Sequence, residues 1–393
     1  MAVEDEIVLN DLFRYIKSED FKGYDPYDCL NSRLIDSISS RLVKIAFTQL
    51  LVYSPLNPRG ILGISKQHNP KGLALILQSL VRLKLKGFKL EGMEGSIDKL
   101  YDLLMGYANH DYSGLCWGYN FPWQDYSKYI PRFQPSIVVS SFAGHSLLDY
   151  HRLNPGRDIE KDVTSICQFI LKDLNRYQDN DGFCFSYSPF DNTMTHNANM
   201  LGASLLLRTG RTFQRDYLIE AAVKAYDFSV KKQNPDGSWY YSYQPNNGNS
   251  RYIGNQIDYH QGFIIDTLLI LNDEVRGSDL MSIIEKAVLF YEKQFNQDGR
   301  SYFRYPRKWP TDVHSQAQGI ITFSKLSRFS DYYLIKAGKI LDWTKGNMLS
   351  KDGHFHYHKW PMMKNRISYI RWGQAWMLSA ITEFLIRGKK LSE

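Results

Sequence analysis

The chain has 393 residues, with 48 Lys and Arg against 41 Asp and Glu and a net charge of +7. This mild basic excess permits an anionic substrate, but no basic-aromatic motif points to a nucleic acid. No run of about 18 apolar residues predicts a transmembrane helix. The start lacks signal-peptide features, and four cysteines without CxxC spacing are typical of free thiols, so we predict a cytoplasmic protein.

Helical periodicity of apolar residues predicts six pairs of helices along the chain. The first helix of each pair is predicted near residues 32–53, 95–108, 158–176, 214–232, 278–295 and 331–347. The second helix is predicted near residues 71–86, 136–152, 196–209, 257–272, 312–327 and 368–387. The second helices are apolar on most sides, as in 201–207, so they should be buried on most sides.

A short phrase repeats four times between the paired helices. Each copy starts with Asp-Gly and continues with aromatic residues, and the copies begin at Asp181, Asp236, Asp298 and Asp352. Asp-Gly favours a tight turn, and the residues after it favour a short strand. A repeat of 54 to 62 residues built this way predicts an all-α fold, an α/α toroid of six helical hairpins with short β-hairpins in the loops. We predict that residues 1–30 form an N-terminal extension that contributes to the cleft and that 31–393 form one toroid domain.

Polar and ionisable residues recur where the second helices begin. Buried helices that repeatedly start with His, Asp and Gln indicate that these side chains meet solvent or a ligand. Asp alone at a helix start is also a common helix cap. Two of these starts share the pattern Asp-x-His. The candidate catalytic residues are Asp258, Asp312, His260, His314, Tyr259 and His196.

These residue types suit three reactions, and the sequence leaves all three open. Two carboxylates can serve glycoside hydrolysis as acid and base. Two histidines can take and return a carbon-bound proton, which is epimerase chemistry. His196, Asn197, Tyr259 and Arg371 are the residue types of a uronate polysaccharide lyase. We expect the candidate groups to converge on one cavity at the starts of the second helices.

Aromatic and polar residues beside these helix starts are candidates for sugar binding. Trp and Tyr present flat apolar rings that suit sugar faces, and Arg371 can bind an anionic or hydroxyl-rich group in bidentate fashion. We predict Trp117 and Trp123 as a sugar platform. The candidate substrate-binding residues are Asp25, Tyr27, Asp28, Trp117, Tyr119, Asn120, Trp123, Gln124, Asn197, Asn199, Arg371, Trp372 and Gln374.

We predict no metal and no cofactor. His354, His356 and His358 alternate and would share one face of a strand, but no fourth ligand is evident. Residues 233–239 resemble the Q-x-x-x-G-x-W repeat of terpene cyclases. The Asp-rich motif of those enzymes is missing, so the likeness is better explained by shared architecture.

Four segments together resemble VpsJ-type polysaccharide-biosynthesis proteins. They are 23–28, 69–72, the tryptophan segment 117–124 and 196–199, and the likeness spans about residues 20–385. The resemblance implies a six-hairpin glycosidase-like toroid and a role in surface-polysaccharide or glycan metabolism. We therefore predict a carbohydrate-active enzyme, most simply glycoside hydrolase-like, acting on an oligo- or polysaccharide. A sugar epimerase, a uronate lyase and a non-catalytic glycan-binding protein are the alternatives.

Overall fold

The structure is a computed structural model that describes residues 2–124, 129–243, 256–274 and 278–392. Within these residues the chain is mostly helical. The helices are α1 (Ala2–Ser18), α2 (Arg33–Asp36), α3 (Arg41–Tyr53), α4 (Pro70–Leu85), α5 (Met93–Gly106), α6 (Ile137–Leu153), α7 (Ile159–Lys172), α8 (His196–Thr212), α9 (Asp216–Val230), α10 (His260–Glu274), α11 (Ser278–Glu292), α12 (Val313–Leu326), α13 (Asp331–Met348) and α14 (Trp376–Ser392). A π-helical turn, Ile370–Ala375, leads into α14.

The strands are short and all pair antiparallel. They are β1 (Trp123–Gln124), β2 (Tyr129–Ile130), β3 (Arg176–Asp179), β4 (Gly182–Phe185), β5 (Met194–Thr195), β6 (Ser242–Tyr243), β7 (Thr311–Asp312), β8 (His358–Lys359) and β9 (Lys364–Asn365). β1 pairs with β2, β3 with β4, β5 with β6, and β7, β8 and β9 form one sheet. The strand content is small, as predicted. The sequence also favours a strand after each Asp-Gly phrase, but among the described strands only β3 and β4 flank one. β5 and β7 instead lead directly into α8 and α12.

The described chain divides into two compact units. The first comprises residues 1–108, 117–134 and 309–393. In this unit α14 packs between α12 and α4. α13 contacts both α12 and α14, α1 contacts α14, and α5 contacts α4. The unit therefore holds three buried helices, each accompanied by a helix that is exposed on one side.

The second unit comprises residues 109–116 and 135–308 and repeats this arrangement. Here α8 packs between α6 and α10, while α7 contacts α6 and α8, α9 contacts α8, and α11 contacts α10. The buried helices are the predicted second helices of the pairs. Residues Ile137 to Tyr150 of α6 are all buried, as expected for a helix that is covered on every side. No helix in the described ranges is long and apolar enough to cross a bilayer.

The glycine of each Asp-Gly phrase explains why the phrase repeats. Gly182 and Gly237 adopt positive φ values of 148° and 90°, which L side chains rarely reach. A Cβ at Gly182 would overlap the carbonyl oxygen of Lys224 in α9, and one at Gly237 would overlap that of Lys286 in α11. In each turn the glycine therefore packs against the backbone of the next half-exposed helix along the chain, which is α9 for Gly182 and α11 for Gly237.

The same contact corrects the predicted first pair. Gly353 has φ 90°, and a Cβ there would lie 2.8 Å from the carbonyl oxygen of Asp11 in α1. The last Asp-Gly turn therefore rests on α1, which takes the place predicted for a helix at 32–53. That segment does form α2 and α3, but α3 packs on the short turn Asp28–Asn31 and on β1. The predicted N-terminal extension contains a helix of the main architecture, while the prediction of one domain from residue 31 stays a prediction.

We expect Gly237→Ala to lower the free energy of unfolding by about 1–3 kcal/mol, because Ala must adopt a positive φ and displace the backbone of α11. Gly346→Ala is the matched control. Gly346 lies in α13, and its added Cβ would meet nothing within 4 Å. This helical change should be neutral or stabilising. Urea unfolding of both variants measures the difference, and equal effects would refute the proposed role of the turn.

Candidate active site

Asp258 and His260 form a hydrogen-bonded pair at the start of α10, in the second unit. Asp258 Oδ1 lies 2.6 Å from His260 Nδ1 and accepts the His260 backbone N–H at 3.1 Å. The other carboxylate oxygen accepts from Gln256 Nε2 at 3.2 Å. Asp258 is buried, whereas the His260 side chain keeps 16% of its exposure. The contact occupies Nδ1, so Nε2 is the ring nitrogen that a substrate can use.

The electrostatics of the pair favour an ionised Asp258. Burial alone would raise the pKa of this carboxyl, but His260 and then Arg304 outweigh burial and hold the pKa below its usual range. An ionised carboxylate on Nδ1 orients an imidazole and stabilises the imidazolium that forms when the other nitrogen takes a proton. The arrangement is that of a general base with its orienting group.

Three aromatic rings restrict the orientation of His260. The ring centroids of Tyr259 and Tyr241 lie 4.2 Å and 4.7 Å from that of the imidazole. Phe263, one turn further along α10, lies 5.9 Å away. Packing on several sides reduces the rotamers open to the imidazole, which pre-organises it for proton transfer. Tyr259 packs on His260, and its predicted catalytic role stays a prediction, while Tyr241 is a neighbour that was not among the predicted site residues.

A second Asp-His pair of similar geometry serves as an internal comparison. Asp352 Oδ1 lies 2.7 Å from His354 Nδ1, and this histidine side chain is 14% exposed. Its Nε2, however, lies 3.2 Å from the carbonyl oxygen of Arg366. Both ring nitrogens of His354 are therefore bound to the protein, which leaves it a structural role in the last Asp-Gly turn.

Arg371 and Asp25 form a buried ion pair in the first unit. Arg371 Nε and Nη2 donate to the two carboxylate oxygens of Asp25 at 2.6 and 2.7 Å. Tyr119 and Trp372 lie against the guanidinium, with ring centroids 4.9 and 5.0 Å from its carbon. Burial disfavours the charged guanidinium, but Asp25 more than offsets this and raises the pKa of Arg371. The bidentate contact that we predicted for a substrate is made with Asp25 instead.

Asp28 has a similar internal partner. Arg59, which is fully buried, donates from Nε to Asp28 Oδ1 at 2.7 Å and from Nη2 to the backbone oxygen of Asp25 at 2.9 Å. Burial raises the pKa of Asp28 to about 6, although Arg59 opposes this shift. Asp28 therefore anchors the segment that carries Asp25, and this replaces its predicted contact with substrate.

Asp312 is also occupied by the protein. It caps α12 by accepting the His314 backbone N–H at 2.7 Å, and Trp372 Nε1 donates to it at 3.0 Å. Its second oxygen lies 3.0 Å from His358 Nε2. With both oxygens engaged and the side chain 5% exposed, Asp312 is suited to holding the start of α12 rather than to acting as an acid or base.

His314 lies in an aromatic stack close to Asp312. Its ring stacks on Trp376 with the centroids 4.6 Å apart and meets the edge of Trp372 at 4.8 Å. The side chain is buried in the first unit. Packing between two indoles accounts for its position, and its predicted catalytic role stays a prediction.

Trp117 is not part of a sugar platform. Its indole is fully buried, and Nε1 donates to the carbonyl oxygen of Leu104 at the end of α5 with a distance of 2.8 Å. Trp239 of an Asp-Gly phrase makes the same bond, at 2.7 Å, to Ser229 at the end of α9. The turn before Trp117 is thus a further copy of the repeat. Trp123 in β1 is 36% exposed, so its part of the platform stays a prediction.

This difference gives a test. We expect Trp117→Phe to lower the free energy of unfolding by about 1–3 kcal/mol, since it removes a buried hydrogen bond and leaves a cavity. Trp123→Phe should leave stability nearly unchanged, because its ring is partly exposed. Thermal and urea unfolding compare the two. A stable Trp117→Phe variant with impaired glycan binding would restore the platform interpretation.

His196, Asn199 and Gln374 face other protein elements. His196 Nδ1 lies 3.2 Å from Ser229 Oγ, and burial lowers its pKa to about 4. Asn199 accepts the Phe185 N–H at 3.0 Å, and Gln374 exchanges two hydrogen bonds with the Phe355 backbone at 2.8 and 2.7 Å. The side-chain amides of Asn199 and Gln374 thus form hydrogen bonds with the backbone of Asp-Gly hairpins, which is a structural role. These contacts replace the predicted catalytic role of His196 and the predicted substrate contacts of Asn199 and Gln374.

The remaining predicted residues are placed as follows. Asn197 is buried in the first turn of α8, and its side-chain oxygen has no hydrogen-bond partner among the described residues. Asn120 accepts from Asn69 Nδ2 at 2.6 Å. Tyr27 packs on Trp372 with ring centroids 5.4 Å apart. Gln124 lies half-buried in β1. The predicted convergence of the catalytic candidates involves both units and stays a prediction.

Lys71 belongs to segment 69–72 of the family resemblance but was not among the predicted site residues. It lies in the first turn of α4, is 5% exposed and points its Nζ at Trp376, 5.2 Å from the ring centroid. Burial, followed by the nearby Arg371, lowers the pKa of Lys71 well below its usual range. A lysine within the first turn of a helix predicted to be buried was the available signal. No group of His, Cys, Asp and Glu in the described chain is arranged to hold a metal.

No protein-family model matches the sequence, and no curated protein matches it significantly. Solved structures do match. The GH76 α-mannanase of Bacteroides thetaiotaomicron has a TM-score of 0.65 at 13% identity, covering 83% of this chain and 88% of that one. The cellobiose 2-epimerase of Bacillus thermoamylovorans has a TM-score of 0.62 at 13% identity, with 81% and 87% covered. The cellobiose 2-epimerase of Spirochaeta thermophila has a TM-score of 0.63 at 12% identity, with 83% and 87% covered.

These likenesses show the fold. The similar structures are six-hairpin glycosidase-like proteins, and the predicted all-α fold of the α/α toroid class is confirmed. The names of these proteins include both a hydrolase and epimerases, so the fold alone does not select the reaction. The reaction has to be inferred from the arrangement of the side chains.

Proposed function

We propose that this protein is a sugar-processing enzyme that moves a carbon-bound proton, as a sugar epimerase or isomerase does. The observation that carries the proposal is the Asp258–His260 pair, with Nδ1 held at 2.6 Å and the imidazole partly exposed. Aromatic packing by Tyr259 and Tyr241 supports a fixed orientation of the base. Fold likeness to enzymes that act on sugars supports the substrate class.

The reaction starts from the open-chain form of a reducing sugar. His260 Nε2 takes the proton from the carbon next to the carbonyl, and the C–H electron pair forms an enediolate. The imidazolium that results is stabilised by Asp258. The imidazolium then returns its proton to the enediolate. Return to the former carbonyl carbon gives the isomer, and return to the original carbon gives the epimer once the enediolate has turned its opposite face to His260. No oxidant and no water are consumed.

Glycoside hydrolysis, our first prediction from the sequence, has weaker support. It needs a carboxylic acid with a raised pKa and a second carboxylate beside the scissile bond. The pKa of Asp258 is lowered, and Asp312 is bound by three protein groups. A uronate lyase would need a cation that can bind the substrate carboxylate, but the guanidinium of Arg371 is bound to Asp25.

The sequence motifs refine the substrate class. Their resemblance to VpsJ-type polysaccharide-biosynthesis proteins supports a substrate from surface-glycan metabolism. Because proton transfer needs a free carbonyl group, the substrate in our proposal is a reducing sugar or the reducing end of an oligosaccharide. Asn197, a buried amide one helix away in the second unit, is the group that we propose for a sugar hydroxyl.

Isotope labelling distinguishes the candidate functions. The protein is incubated with aldoses and reducing disaccharides, once in D2O and once in ¹⁸O-labelled water, and the products are analysed by NMR and mass spectrometry. We expect deuterium on the carbon next to the carbonyl without cleavage of the glycosidic bond. Cleavage with ¹⁸O in the new hydroxyl would establish a hydrolase and overturn the proposal. Saturable sugar binding without either label would establish a glycan-binding protein.

A further inference from the structure

The α3 helix carries apolar side chains on two opposite faces. Leu51 and Val52 are buried, and Leu51 belongs to a small core with Cys29, Ile35 and Ile64. The exposed residues of α3 form one stripe at helical spacing. Apart from Arg41 at the start of the helix, they are Leu42, Val43, Ala46, Gln49, Leu50 and Tyr53. Leu42 and Leu50 are 61% and 63% exposed, so a stripe that should be polar on a soluble helix is apolar instead.

The elements next to α3 also expose large apolar side chains. Leu34 in α2 is 72% exposed, and Leu56 and Ile61 in the loop after α3 are 75% and 90% exposed. The hairpin of β8 and β9 lies beside this loop, because Asn365 Nδ2 donates to the Ser54 carbonyl oxygen at 2.7 Å. Its tip carries Met362, which is 97% exposed.

We call this surface the docking face. It is defined by Leu34, Leu42, Leu50, Leu56, Ile61 and Met362. All six lie in the first unit. Single exposed leucines are ordinary, but a group of large aliphatic side chains on neighbouring elements marks an interaction surface.

The docking face is also basic. Asp36 is the sole acidic residue from position 29 to position 90, and it is paired with Lys44 at 3.3 Å. Arg33 and Arg41 are exposed beside Leu34 and Leu42. The hairpin segment 359–366 reads Lys-Trp-Pro-Met-Met-Lys-Asn-Arg and contains no acidic residue. The complement of this surface is therefore both apolar and negatively charged.

We propose that the docking face binds the surface of a membrane that contains anionic lipids. Large apolar side chains insert at the boundary of the acyl chains, while Lys and Arg remain at the headgroups. A second copy of this chain would bring two basic surfaces together, which charge repulsion opposes. An anionic polysaccharide would satisfy the charge but not the aliphatic side chains. The proposal stands independently of the reaction proposed above.

Vesicle co-flotation tests the proposal with the full chain. Vesicles of phosphatidylcholine alone are compared with vesicles that also contain phosphatidylglycerol. We expect binding to rise about tenfold or more with the anionic lipid and to fall as salt is raised, because screening weakens the contribution of Arg33 and Arg41. The variant Arg33→Gln/Arg41→Gln should bind the anionic vesicles about tenfold less tightly.

Apolar variants separate this interaction from simple charge attraction. Leu50→Ser and Met362→Ser should each weaken vesicle binding about fivefold without changing thermal stability, since both side chains are exposed in the free protein. Ile335→Ser is the matched control, because Ile335 on α13 is 62% exposed but lies outside the docking face. It should bind vesicles as the unchanged protein does.

Three results would overturn the proposal. The first is the absence of flotation with either vesicle. The second is equal vesicle binding by Leu50→Ser, Met362→Ser and Ile335→Ser, which would show that the apolar side chains do not contribute and that charge alone attracts the protein. The third is a dimer in light scattering that Leu50→Ser dissociates, in the absence of vesicle binding, since the face would then join two copies.

Discussion

Replacing His260 by Gln is expected to lower kcat by about 10²- to 10⁴-fold, the usual contribution of a positioned general acid or base. Gln keeps the size and polarity of the side chain but cannot take a proton from carbon. Asp258→Asn should also lower kcat, because an amide no longer stabilises the imidazolium. Steady-state kinetics on the sugar identified by isotope labelling measures both effects, and circular dichroism shows that both variants are folded.

The control for this prediction is His354→Gln. His354 has a nearly equal contact with a carboxylate and nearly equal exposure, but its Nε2 is bound to the Arg366 carbonyl oxygen. Its replacement should leave kcat within about twofold. If His354→Gln abolishes turnover while His260→Gln retains it, the base has been assigned to the wrong Asp-His pair.

Replacing Arg371 by Met is expected to lower the free energy of unfolding by about 3–5 kcal/mol, because the Asp25 carboxylate would remain buried without its partner. Both side chains are 3% exposed, so water cannot substitute for the guanidinium. Urea unfolding of the variant measures the loss.

A double-mutant cycle tests whether this cost comes from the ion pair. Arg371→Met combined with Asp25→Asn should recover part of the stability, since the neutral amide no longer needs a cation. Arg14, which pairs with Asp11 on the surface with 72% of its side chain exposed, is the control, and Arg14→Met should change stability little. Additive losses in the cycle would show that Arg371 and Asp25 act independently.

The helical pairs were predictable from the sequence because each helix has its own periodicity and, in four of the six pairs, an Asp-Gly phrase lies between the two helices. The first pair was misassigned. Leu9, Leu12 and Ile16 of α1 are buried at helical spacing, a readable signal, but segment 32–53 offers the same signal. The choice between them depends on the packing of Gly353 against Asp11, which are far apart in the chain.

The candidate site was predictable as a set of residue types and not as a set of orientations. His196 and His260 both occupy the first position of a buried helix, yet His196 turns toward Ser229 of α9 and His260 toward Asp258. Which way such a side chain points depends on its rotamer and on neighbours brought in by the fold. Trp117 was misjudged because its turn ends in Ser-Gly and hides its equivalence to Trp239.

A crystal structure with a bound alditol, the reduced form of the sugar that exchanges deuterium, locates the reacting carbon relative to His260. An alditol resembles the open-chain sugar but has no carbonyl group and cannot react. We predict that the carbon that exchanges its proton lies about 3–3.5 Å from His260 Nε2, with Asp258 still on Nδ1. An alditol bound with that carbon beyond reach of His260, and within reach of another base, would show that His260 is not the base.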